Sequence, residues 1–74
     1  MIKYDTYRTF KGWEIRKTDE NNKHSWLKSV YKGKYTFVSD YLYAKHYTEK
    51  TARAIVKLLN AKELEATVNK YLSL

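Results

Sequence analysis

The chain has 74 residues, no cysteine, no proline, two glycines and twelve aromatic side chains: two Trp, eight Tyr and two Phe. That length makes one domain, and the missing cysteines exclude disulfides and thiolate-held zinc as its source of stability. Fifteen Lys and Arg against eight Asp and Glu leave a net charge of +7, and no apolar run approaches the ~20 residues that a membrane span needs.

Stability must therefore come from burying large side chains, each worth about 1.5–3 kcal/mol when fully covered. The charge is uneven. Residues 1–34 hold nine basic and four acidic residues, and residues 35–74 hold six and four. Such a field suits nucleic acid or an acidic protein surface as partner, although surface lysines also serve plain solubility. Twelve of the fifteen cations are Lys, which favours phosphate tracking over bidentate Arg readout of bases. The N-terminus MIKYDTYRTF lacks the apolar segment of a secretory signal. A cytoplasmic protein with no membrane partner is the expectation.

In chain order, residues 1–10 alternate loosely, with Ile2, Tyr4 and Thr6 against Lys3, Asp5 and Tyr7, which fits an edge strand or a loose arm. Gly12 marks a bend or bulge. Residues 13–38 read as a three-stranded meander. In the first strand, Trp13, Ile15 and Lys17 share one face and Glu14, Arg16 and Thr18 the other. The polar run Asp19-Glu20-Asn21-Asn22-Lys23 is a loop. In the second strand, alternation sets Leu27, Ser29 and Tyr31 against Trp26, Lys28 and Val30. Lys32-Gly33 is a tight hairpin turn, and Tyr35 and Phe37 alternate with Thr36 and Val38 in the third strand.

Asp40 suits the cap of a short turn through YLYAKHY, whose Tyr41, Leu42, Ala44 and Tyr47 would close one end of the core. Thr48 is an N-cap with Glu49 behind it. Ala52, Ile55, Val56 and Leu59 then recur at helical spacing, predicting a helix over 48–60 with Asn60 as its stop. Residues 63–74 fit two patterns: a helix by Leu64, Val68, Tyr71 and Leu72, or a strand by Ala66, Val68, Lys70 and Leu72. A strand is expected, because a three-stranded sheet with one helix leaves little core for so many aromatics. Trp13, Tyr35, Phe37, Tyr47 and Tyr71 are the expected core aromatics. The fold class is α+β, a small antiparallel sheet of three or four strands packed on one main helix.

The step Ala44-Lys45-His46-Tyr47-Thr48-Glu49-Lys50-Thr51-Ala52 sets an aromatic plug before a capped helix. It resembles a step in small phage and prophage accessory proteins of Gram-positive bacteria. A related step occurs in the arm-type DNA-binding domains of phage integrases, where a three-stranded sheet packs on one helix. The first resemblance implies a compact module that in some cases inhibits a host nuclease, a CRISPR effector or another host protein. The second implies that a sheet face enters a DNA major groove, with Arg16, Trp26 and Lys28 as the contacting residues by position.

Chemistry finds little support. His24 and His46 lack any metal-ligand spacing, the eight carboxylates are scattered, and two glycines cannot build a phosphate-cradling loop. No enzyme, cofactor or metal is expected. What remains is a binding surface, in which lysines follow phosphates while aromatics stack on bases or form hot spots at a protein interface. The candidate residues are Arg16, Lys17, Lys23, Trp26, Lys28, Tyr31, Lys32 and Lys34. A homodimer formed through an open sheet edge is a further possibility. Trp26 is the reporter: exposed, it marks the site, and buried, it makes the sheet a scaffold.

Overall fold

The computed structural model describes residues 1–73. It has four strands, β1 (Lys3–Thr9), β2 (Gly12–Thr18), β3 (His24–Tyr31) and β4 (Lys34–Val38), then a 3-10 turn at Tyr41–Tyr43 and one helix, α1 (Glu49–Leu72). The strands form one antiparallel sheet in the order β1-β2-β3-β4. The fold is α+β, with the helix on one face of the sheet.

Each turn follows local chemistry. Thr9 Oγ1 accepts from the Lys11 amide (3.2 Å) and donates to the Gly12 carbonyl (2.9 Å), closing the β1–β2 hairpin. Asp19 Oδ1 accepts from the amides of Asn21 and Lys23 at 2.8 and 2.9 Å, while Asn22 takes φ +61°. The Lys23 amide in particular holds the Asp19 carboxyl below its ordinary value. Lys32 and Gly33 both have positive φ, +48° and +77°, as a two-residue hairpin turn of this hand requires.

The core lies between the sheet and the first half of α1. Tyr4, Ile15, Leu27, Ala52 and Leu59 are buried, and Trp13, Tyr35, Phe37, Tyr47, Ile55 and Val56 pack around them. Four of the five expected core aromatics are thus in place. The fifth, Tyr71, is 75% exposed, because the helix has left the sheet by that point.

The tail differs from expectation. Residues 61–72 are neither a returning strand nor a second element but the continuation of α1, an unbroken helix of 24 residues; Leu74 lies outside the described residues. The run Ala61-Lys62-Glu63-Leu64-Glu65-Ala66 consists of strong helix formers. Asn60 does not stop the helix, because its amide is otherwise engaged. Its Oδ1 accepts from the Tyr4 amide and its Nδ2 donates to the Tyr4 carbonyl, both at 3.1 Å. A side chain so occupied does not compete with the helix backbone, and it satisfies two polar groups on the outer edge of β1. The fourth strand comes from residues 1–10, so Tyr4 supplies the core surface assigned to the tail.

One further departure sets the geometry of the site. β3 carries a bulge between Leu27 and Ser29. The extra residue, Lys28, shifts the alternation by one place. Ser29 and Tyr31 therefore join Trp26 on the face away from the helix, and Val30 joins Leu27, opposite the expected phase. β2 and β3 pair only from Arg16–Trp26 to Thr18–His24. Beyond that the strands part, and the segment before α1 occupies the gap. Lys45 donates to the Leu27 carbonyl (3.0 Å), and Tyr47 exchanges two backbone hydrogen bonds with Trp13 (2.8 and 2.9 Å). The backbone groups freed by the parting strands thereby find partners.

Candidate functional site

The face of the sheet turned away from α1 carries Asp5 and Tyr7 from β1, Glu14, Arg16 and Thr18 from β2, His24, Trp26 and Tyr31 from β3, and Lys34, Thr36 and Val38 from β4. Trp26 is half-buried on this face. The cover over it is Tyr41, whose ring meets the indole edge-on at 6.1 Å. Asp40 builds the turn that delivers Tyr41, its Oδ1 accepting from the Leu42 amide at 2.9 Å. On the other side the His24 ring lies 6.4 Å from Trp26 and its Nδ1 is 3.1 Å from Thr18 Oγ1. Trp26 is thus the middle of an aromatic row, part covered and part open.

Arg16 is less available than its sequence position implies. Its guanidinium lies 4.2 Å over the Tyr7 ring, and its Nε is buried with no hydrogen-bond partner among the described residues. Lys17 does not belong to this face at all. It points to the helix side, with Nζ 5.3 Å from the Phe37 ring. Lys23 is exposed in the β2–β3 loop, at the end of the sheet opposite the β3–β4 turn.

The remaining candidates gather on the β3–β4 hairpin. Lys28 stands on the bulge, Lys32 on the turn with Nζ 5.5 Å from the Tyr31 ring, and Lys34 across from Tyr31. Tyr31 is 70% exposed and Val30 41%, so the tip of the hairpin is open on both sides. From Lys23 to Ser39 the chain contains no Asp or Glu. Among the described residues the ion pairs are Glu14–His46 and Glu49–Arg53, neither of which engages a hairpin lysine. The candidates therefore form a hairpin group of Lys28, Tyr31, Lys32 and Lys34, with Trp26 at its base and Arg16, Lys17 and Lys23 outside it.

Glu14 is buried on the far face, with its Oε2 2.8 Å from His46 Nε2. This pair pins the 44–47 segment over β2. The period-two pattern of β2 puts Glu14 beside Arg16, but its pairing with a residue 32 positions away leaves no trace in the local sequence. Tyr7 and Tyr41 were also missed as parts of the site. Tyr7 was legible from its alternation with Asp5, whereas Tyr41 reaches Trp26 only through the tertiary path of the turn. Among the described residues no group of three His, Cys, Asp or Glu stands close enough to hold a metal ion, and no helix is long and apolar enough to cross a membrane.

No protein-family model, no curated protein and no solved structure matches the chain.

Proposed function

We propose that this protein is a non-catalytic nucleic-acid-binding module whose contact element is the β3–β4 hairpin. The observation that carries the reading is the acid-free stretch from Lys23 to Ser39, folded into a two-stranded ribbon whose lysines stand outside the ion pairs of the described residues, with an exposed tyrosine at its tip. A two-stranded ribbon fits the width of a DNA major groove, and lysines on such a ribbon serve as point charges for phosphates. Tyr31 offers a ring for stacking on an unpaired base, an interaction worth about 1–3 kcal/mol. Trp26 and Tyr41 extend the aromatic surface toward the base of the hairpin.

A second reading, binding to an acidic protein surface, rests on the turn beside Trp26. Tyr41, Leu42 and Tyr43 are 59%, 72% and 63% exposed, a contiguous apolar and aromatic tripeptide of the kind that anchors protein interfaces. Inhibition of a host protein would work through such a patch. Fluorescence anisotropy with labelled single-stranded DNA, duplex DNA and RNA at 50 and 200 mM salt separates the two. Binding that weakens steeply with salt and is lost in a Lys28→Gln, Lys32→Gln, Lys34→Gln variant supports the first. Absence of binding to all three at 50 mM rejects it and leaves the protein-binding reading.

A further inference from the structure

The side of α1 turned away from the sheet presents a second apolar stripe, running from the first half of the helix into the part beyond the sheet. With about 100° per residue, Ala52, Ile55, Val56 and Leu59 point to the sheet, and Ala54, Leu58, Ala61, Leu64, Val68 and Leu72 cluster on the opposite side. All six are exposed: Leu58 by 48%, Leu64 by 60%, Val68 by 47% and Leu72 by 80%, and both alanines belong to the same open class. A helix apolar on both sides is a helix with two partners. The sheet accounts for one of them.

We infer that the second partner is another copy of this chain, packed antiparallel along the back of α1 with a two-fold axis beside Ala61. Two copies so placed are complementary. A two-fold axis at residue 61 brings each residue to the level of the one as far beyond 61 as it lies before. Leu58 then meets Leu64, Ala54 meets Val68, and Lys57 meets Glu65, each pair occurring twice by symmetry. Within residues 54–68 the seam thus matches large to large, small to branched and positive to negative, while Leu72 falls level with Lys50 at its ends. Ala61 at the axis lets the helices approach to the short end of the usual 8–10 Å. A parallel pair would instead set Lys57 against Lys57 and Glu65 against Glu65. Among the described residues Glu65 and Lys57 take no part in any ion pair, and both face the seam. This dimer uses neither sheet edge, and it does not depend on the nucleic-acid reading.

Analytical ultracentrifugation across 1–200 µM, run on the full chain, tests it. The dimer appears as a species of twice the 8.9 kDa chain mass. Lys57→Glu and Glu65→Lys each place like charges together twice and raise the dissociation constant by at least about tenfold, whereas the double exchange restores wild-type association. Ala61→Cys, the only thiol in its chain, forms a disulfide-linked dimer on mild oxidation because the axis brings it to its own copy. A wild type that stays monomeric at 200 µM overturns the inference. So does a dimer that the double exchange does not rescue, or one in which Ala61→Cys fails to cross-link. Circular dichroism of each variant confirms that the helix is intact.

Discussion

Asn60 offers the sharpest test of how the sheet and helix hold together. Its amide clamps both backbone groups of Tyr4 at 3.1 Å, and each such hydrogen bond contributes about 0.5–1.5 kcal/mol net. Asn60→Ala removes both. The same change improves helix propensity by up to about 0.7 kcal/mol. The two effects oppose, and the clamp is the larger: a net loss of about 0.3–2.3 kcal/mol, which for a domain of this size lowers the melting temperature by roughly 1–18 °C. Asn69→Ala is the control, because it sits in the same helix with no side-chain hydrogen bond among the described residues and gains propensity alone. Urea denaturation gives the free energies, and hydrogen exchange of the Tyr4 amide reports the clamp directly. The expected result is faster Tyr4 exchange and a lower midpoint for Asn60→Ala, against an unchanged or slightly raised midpoint for Asn69→Ala. If Asn60→Ala is as stable as Asn69→Ala and Tyr4 stays protected, the clamp contributes nothing and the helix is held by the apolar stripe alone.

The segment that fills the gap between β2 and β3 yields the other stability predictions. Gly12 has φ +131°, and a Cβ there would lie 3.1 Å from the Tyr47 carbonyl oxygen, so Gly12→Ala costs about 1–3 kcal/mol and lowers the urea midpoint. The Tyr47 hydroxyl is buried with no hydrogen-bond partner among the described residues, and Tyr47→Phe relieves about 1–3 kcal/mol of that burden; a fall in stability would mean that the hydroxyl is satisfied. Burial raises the phenols of Tyr4 and Tyr47 above their ordinary value of 10.0, with the charge of Glu63 adding to the effect on Tyr4. The folded state therefore favours the neutral hydroxyls, so their contribution is intact below about pH 10 and declines as the pH climbs through the folded-state values. Alkaline titration of the unfolding midpoint should fall less steeply for Tyr47→Phe.

Much of this fold was legible in the residues. Lys32-Gly33 specified a hairpin turn, Asp40 and Thr48 their caps, and Ala52 to Leu59 the core stripe of the helix, because each rests on interactions within a few positions. The misreadings share a cause. Asn60 looks like a helix stop until a strand 56 residues away is there to occupy its amide. The bulge at Lys28 is not written in any turn residue, yet it moves Tyr31 to the other face of the sheet. The strand expected at residues 63–74 was a solution to a shortage of core that β1 had already met. For the site, composition pointed to a lysine-rich aromatic surface, but only the register removes Lys17 from it, and only the path of residues 40–47 partly covers Trp26. That indole therefore answers neither as a free platform nor as plain core: it is the half-covered base of the hairpin that carries the charge.

Phosphate contacts by the hairpin lysines would show in the salt dependence of nucleic-acid binding. If Lys28, Lys32 and Lys34 each contact one phosphate, the log–log slope of the binding constant against salt is about −2.7 for duplex DNA and about −2.1 for a single strand. A rise from 50 to 200 mM salt then weakens binding by about 40-fold and about 20-fold respectively. Replacing all three lysines with Gln should flatten the slope toward zero while leaving the fold intact. A wild-type slope near zero, or a triple variant with the wild-type slope, would place the phosphate contacts elsewhere and contradict the account.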